Sequence, residues 1–201
     1  VGWFGFGFMR KKGSKQHRLQ QAPTAEKDDP QLRNTALLEL SRRLAFGQSQ
    51  IVDEVSEAIL HEEDYFVRWF DRLDERGISC PIPELPWFAL VDSLQAEGLA
   101  CEIDWKEGSY EVASVIENLL ARKQLLPEAE WNLEHEADEI LPTYDFLVKM
   151  FKLLQVHSIT LACMDINSDS YVLITVRMEE YSELRALAAR AGYRIDGFEQ
   201  G

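Results

Sequence analysis

"SITLACMDINSDSYVLITVRM", residues 158–178, is either a metal loop or the centre of a sheet, and the architecture depends on which. Two runs of aliphatic and β-branched residues flank a polar centre. There Asp165, Asn167 and Asp169 stand at alternate positions, the spacing with which a calcium loop begins. Such a loop requires a Gly at its sixth position and a chelating Glu at its twelfth, whereas counting from Asp165 gives Ser170 and Val176. Its flanks are also helices, and these flanks read as strands. The stretch is therefore a β-hairpin, turning at Asn167-Ser168. The expected pairing sets Cys163 opposite Val172, Leu161 opposite Ile174 and Ile159 opposite Val176. By alternation, Asp165 then points with Cys163 while Asp169 and Tyr171 point to the other face, so the two carboxylates do not share a cation.

After the hairpin, "EYSELRALAARAG" has helical spacing and "YRIDGF" reads as a final strand. Upstream, "PTYDFLVKMFKLLQ" is an amphipathic helix through Tyr144, Leu147, Phe151 and Leu154, and "EAEWNLEHEADEI" is a polar helix or irregular piece. "SYEVASVIENLLA" is a further helix. "LACEIDW" alternates, with Leu99, Cys101, Ile103 and Trp105 on one face and Glu102 and Asp104 on the other. The order from residue 99 is strand, helices, strand, strand, helix, strand: the split β-α-β arrangement of a small antiparallel ferredoxin-like sheet with an enlarged first crossover.

Residues 29–98 read as helices. Asp29 caps the first and Pro30 takes its first position, with Leu37, Leu40 and Leu44 as the buried stripe. Ile51, Val55 and Ile59 line a second. "EEDYFVRWFDRLDERG" is a third, burying Phe66, Phe70 and Leu73 and ending at Gly77, and "PWFALVDSLQAEG" is a fourth after the rigid "CPIPELP" connector. The expected fold class is α+β, a helical N-terminal half packed on the sheet. Residues 29–201 form one domain behind a mobile tail, residues 1–28. The second sheet face, with Ala162, Met164, Ile166, Tyr171 and Leu173, is too apolar to be bare, so the helical half or a second copy in a homodimer covers it.

"FALVDSLQAEGLACEIDWKEGSYEVASVIENL" and "DINSDSYVLITVRMEEYSELRALAARAGYRI" resemble an uncharacterised family of bacterial domains of unknown function, marked by an acidic strand ending in Asp-Trp and the Asp-Ser-Tyr hairpin. The resemblance covers residues 85–198. It implies a bacterial, soluble protein and supplies no activity and no site residue.

The formal charge of −14 argues against a nucleic-acid binder, which needs a basic face, and favours a basic protein partner. The charge is uneven. Arg10, Lys11, Lys12, Lys15 and Arg18 stand in the first eighteen residues without an acid, leaving 16 basic against 35 acidic residues in the rest. Ahead of them, Trp3, Phe4, Phe6 and Phe8 could enter a lipid headgroup layer while Arg10, Lys11 and Lys12 attract anionic lipid, a tether peripheral to the inner membrane. Met9 would serve as an alternative start, leaving residues 1–8 as an upstream remnant. Three cysteines without a C-x-x-C pair suggest neither disulfides nor zinc, and fit a reducing cytoplasm.

No catalytic motif and no cofactor motif is present. His135-Glu136 begins a zinc-protease motif, but Glu139 stands where the second His is needed, and His61 has no partner at helical spacing. Cys101 and Cys163 fall on apolar strand faces as core residues. One group remains. In a ferredoxin-like sheet Glu102, Asp104 and Asp169 gather at one edge with Trp105 and Tyr171, where they could bind a partner or hold a divalent cation for an enzyme. The leading expectation is a non-catalytic protein-binding module, immunity-type or regulatory. A metal-dependent enzyme and a tail-tethered membrane protein are the alternatives.

Overall fold

In the computed structural model, residues 29–126, 133–137 and 141–199 are described. The aromatic and basic segment, Trp3, Phe4, Phe6, Phe8, Arg10, Lys11 and Lys12 included, lies outside them. Eight helices are among the described elements: α1 (Pro30–Leu44), α2 (Ser49–Leu60), α3 (Glu62–Arg68), α4 (Phe70–Glu75), α5 (Leu85–Ala96), α6 (Ser109–Arg122), α7 (Thr143–Gln155) and α8 (Met178–Ala191). The strands are β1 (Cys101–Ile103), β2 (Ile159–Met164), β3 (Tyr171–Arg177) and β4 (Ile195–Gly197). The class is α+β, as expected.

Local chemistry accounts for the helix ends. The Asp29 carboxylate accepts from the Gln31 N–H at 2.9 Å, with Pro30 at the first helical position of α1. The single third helix expected over residues 62–77 is instead two. Trp69, with φ −107° and ψ 22°, leaves helical geometry between α3 and α4 and lets Tyr65 and Leu73 both reach the core. Phe70 lies 43% exposed, edge-on to Phe66, so the buried stripe runs through Tyr65 and Leu73. β1 is shorter than its alternating sequence suggests. The Leu99 and Ala100 N–H groups both turn back to the Leu94 carbonyl, so Leu99 packs with the helical half rather than alongside Cys101.

The sheet has the order β1-β3-β2-β4 with every neighbouring pair antiparallel. β1 and β2 are thus parallel around β3, the split β-α-β unit. The last strand departs from the ferredoxin-like order: β4 adds to β2 and not to β1. The two crossovers, β1 to β2 and β3 to β4, step the same way across the sheet while running in opposite directions, so a right-handed connection puts their helices on opposite faces. Accordingly, α6 and α7 pack with Ile159, Leu161 and Leu173. α8 joins α1, α2 and α5 against Ala162, Met164, Val172, Ile174 and Val176.

The hairpin register differs from expectation by one residue. Cys163 pairs with Leu173, Leu161 with Thr175 and Ile159 with Arg177. Tyr171 and Leu173 consequently lie on the Cys163 face, and the opposite face, with Ala162, Met164 and Ile166, is the one covered by the N-terminal helices. A one-residue slip moves every side chain to the other face. Both faces are apolar here, so alternation carried no information about parity. The turn is longer than the two residues Asn167-Ser168: Asp165 to Ser170 lie between β2 and β3, beyond the closing Met164–Val172 pair. The Asp165 carboxylate accepts from the Asn167 N–H at 2.8 Å, and Asn167 takes φ 55°, a left-handed conformation that Asn tolerates. The loop is anchored from α5. The Trp87 indole N–H donates to the Asp165 carbonyl at 2.8 Å, and its ring stacks on Tyr193 at 4.5 Å.

Candidate functional site

Buried charge leads from the helical half to the sheet edge. Arg72 and Arg76 are one helical turn apart and face the same way, towards Asp92, the one charged residue among the buried residues of α5. Asp92 is 6% exposed. Its Oδ1 accepts from Arg76 Nη2 at 2.5 Å and Nε at 2.9 Å, while Oδ2 faces Arg72 Nε at 3.2 Å as an ion pair. Arg72 continues to Glu54 on α2 and to the Tyr65 hydroxyl, and lies over the Trp69 ring at 4.1 Å. Arg76 continues to Glu102 on β1 at 3.0 Å. The charges alternate along this line: Glu54, Arg72, Asp92, Arg76, Glu102. Burial pushes the Asp92 carboxyl up, against the pull of Arg76 and then Arg72. Burial alone would lower both guanidiniums, but the carboxylates beside them raise each one.

This line ends in a cleft of about 440 Å³ whose lining includes Glu102, Asp104, Trp105 and Asp169. The structure thus brings four of the five sequence-predicted residues together. The fifth, Tyr171, lies on the other sheet face, edge-on to Phe198 at 6.0 Å. Glu102 is fully engaged: Oε1 accepts from the Ser170 hydroxyl at 2.5 Å and Oε2 pairs with Arg76. Asp104 caps the turn after β1 by accepting from the Lys106 N–H at 2.8 Å. Asp165 pairs instead with Arg194 at 3.6 Å. Among the described residues no group of three His, Cys, Asp or Glu side chains is arranged to hold a metal ion.

Trp105 forms part of a second cleft, of about 600 Å³, on the other side of the sheet edge. Its lining is aromatic, with Tyr110 from α6, Tyr144 from α7 and Tyr171 from β3. Trp105, Tyr110 and Tyr144 are 49%, 58% and 47% exposed. Lys106 Nζ sits 4.4 Å from the Trp105 ring centroid, a cation–π contact. Glu107 and Glu111 line the same cleft, and neither they nor Asp104 or Asp169 form an ion pair among the described residues.

Cys101 and Cys163 pack against the core on the sheet, whereas Cys80 is exposed. Burial raises Cys101 and pushes the Cys163 thiol up to about 11, far from the thiolate range a nucleophile needs. His61 is exposed at the α2–α3 junction. The side chain of His135 lies outside the described residues.

Sequence reasoning missed Asp92, Arg72, Arg76 and the buried Lys123. The Arg72–Arg76 spacing on one helix face and the lone acid within "FALVDSL" were the available signals. For Lys123, just beyond α6, there was none.

Fold and clefts together define a three-layer α+β domain with an acidic, aromatic edge beside β1. The chain belongs to the family described as a domain of unknown function, DUF6630, whose pattern matches residues 36–198. No curated protein and no solved structure matches it. No described helix is long and apolar enough to cross a membrane.

Proposed function

We propose that the chain works by binding another protein, taking an arginine- or lysine-bearing segment of a basic partner onto the edge around Trp105. The carrying observation is the grouping of three half-exposed aromatic rings, Trp105, Tyr110 and Tyr144, in one cleft. Exposed aromatic clusters rimmed by polar groups are what interfaces use as anchors. The chemistry of the occupant follows from charge. Asp104, Glu107, Glu111 and Asp169 stand at or beside this cleft, and the chain carries −14 overall. The Lys106 contact supports a cation seated against the Trp105 face. An immunity-type or regulatory role, neutralising a basic partner, is the form of this reading that fits the acidity.

The test is calorimetric titration of the full chain with an oligo-arginine peptide, with oligo-glutamate as control. The expected result is saturable binding that weakens as salt screens the charges and falls in Trp105→Ala and Tyr144→Ala. Unchanged binding in both variants, or no binding at low salt, would overturn the proposal.

A further inference from the structure

A third cleft, of about 330 Å³, opens where the second half of β3 meets α1, α8 and the end of α6. β1 begins at Cys101, opposite Leu173, so the ladder stops short of Thr175 and leaves that part of the β3 edge unpaired on the β1 side. Lys123 fills the gap: its ammonium donates to the Thr175 carbonyl at 2.7 Å. This contact guards a bare strand edge, but it uses one of three N–H donors. The side chain is only 7% exposed, and no ion pair to it is formed among the described residues. Glu180 is near enough to raise the Lys123 pKa, yet burial prevails and holds it at about 8. The hydroxyl of Thr175 is likewise buried without a partner among the described residues.

The rest of the lining points the same way. The charged groups are Arg43 from α1, Arg177 from β3, Glu180 from α8 and Lys123 itself: three cations and one acid in a strongly acidic protein. Arg43 is held by Glu39 and Glu183, whereas Arg177 forms no ion pair among the described residues. Two residues of the lining, Phe46 at φ 48° and Gln124 at φ 51°, adopt left-handed backbone without being glycine. For a bulky Phe this is a strained conformation of the kind that collects at ligand sites. Phe46 is 55% exposed and supplies an apolar wall with Leu44 and Leu184.

We infer that this cleft is a binding site for a small oxyanion of the phosphate or phosphate-monoester class, held by the free donors of Lys123 and by Arg177. Any organic part of the ligand would lie against Phe46. The site is separate from the Trp105 edge and does not depend on the protein-binding proposal.

The test is thermal unfolding of the full chain in millimolar inorganic phosphate against chloride of matched ionic strength. Phosphate is expected to raise Tm by mass action. The increment should shrink in Arg177→Ala, an exposed change that leaves the fold intact, and vanish in Lys123→Met. Absence of a phosphate-specific rise, or a rise of equal size in Arg177→Ala, would overturn the inference.

Discussion

Arg76→Met tests whether the alternating line of charge holds the helical half to the sheet. Arg76 contacts Asp92 at 2.5 Å and Glu102 at 3.0 Å, with side-chain exposures of 17%, 4% and 27% for Arg76, Asp92 and Glu102. Breaking a buried pair by removing one partner costs about 3–5 kcal/mol, because the other charge is left in a poor solvent. Two features set this case at the low end, about 3 kcal/mol on that scale. Asp92 keeps Arg72, and Glu102 is exposed enough to recruit water. Methionine preserves most of the apolar stem and gives up the guanidinium's place 5.5 Å from the Phe88 ring centroid, a minor loss beside the ion pairs. For a chain of this size the loss corresponds to a Tm drop of about 6–12 °C. Urea unfolding followed by circular dichroism should show a lower midpoint at unchanged slope. A loss below about 1 kcal/mol, the range of an exposed pair, would mean that the charge line does not hold the two halves together.

Three further outcomes follow from the same structure. Because burial outweighs the two guanidiniums at Asp92, replacing Arg72, Arg76 and Asp92 together by Met, Met and Leu, with Glu54→Gln and Glu102→Gln so that no carboxylate loses its partner, should cost less than the single changes summed, measured by the same urea midpoints. Lys123 has a folded pKa of about 8, below its ordinary 10.5, so the unfolded chain binds that proton more tightly. The cost is full below about pH 8 and disappears as pH rises to 10.5. Wild-type stability relative to Lys123→Met should therefore climb by about 3 kcal/mol across that window, and a flat difference would contradict it. Gly192 ends α8 at φ 89°, and a Cβ there would meet the Arg33 guanidinium at 2.7 Å; Gly192→Ala should destabilise by about 1–2 kcal/mol in chemical unfolding.

Element types were legible because each had a local cause: the Asp29-Pro30 cap, the left-handed glycines at 77, 98 and 192, and the shift from helical to alternating spacing at residue 99. The split unit around β3 was legible too. Strand parity and the seat of β4 were not. Thr160, Leu161, Ala162 and Cys163 are all covered by one helical layer or the other, so alternation had no solvent side to report. The place of β4 depends on α8 packing beside α1, a tertiary choice that neither segment states alone. At the candidate site, Glu102, Asp104, Trp105 and Asp169 converge because β1 lies beside β3, which the connectivity required. Tyr171 was misplaced by the register slip. The ion-paired state of Glu102 depended on Arg76, eighty-odd ångströms of chain away if extended, and no local pattern joins them.

The protein-binding claim is tested most directly by amide-resolved NMR of the full chain during titration with oligo-arginine. Saturable shifts are expected, centred on residues 104–111 and the start of α7 around Tyr144, and lost in Trp105→Ala. Shifts spread evenly over the acidic surface, or centred on the Glu57, Asp64 and Arg68 face of α2 and α3, would contradict it.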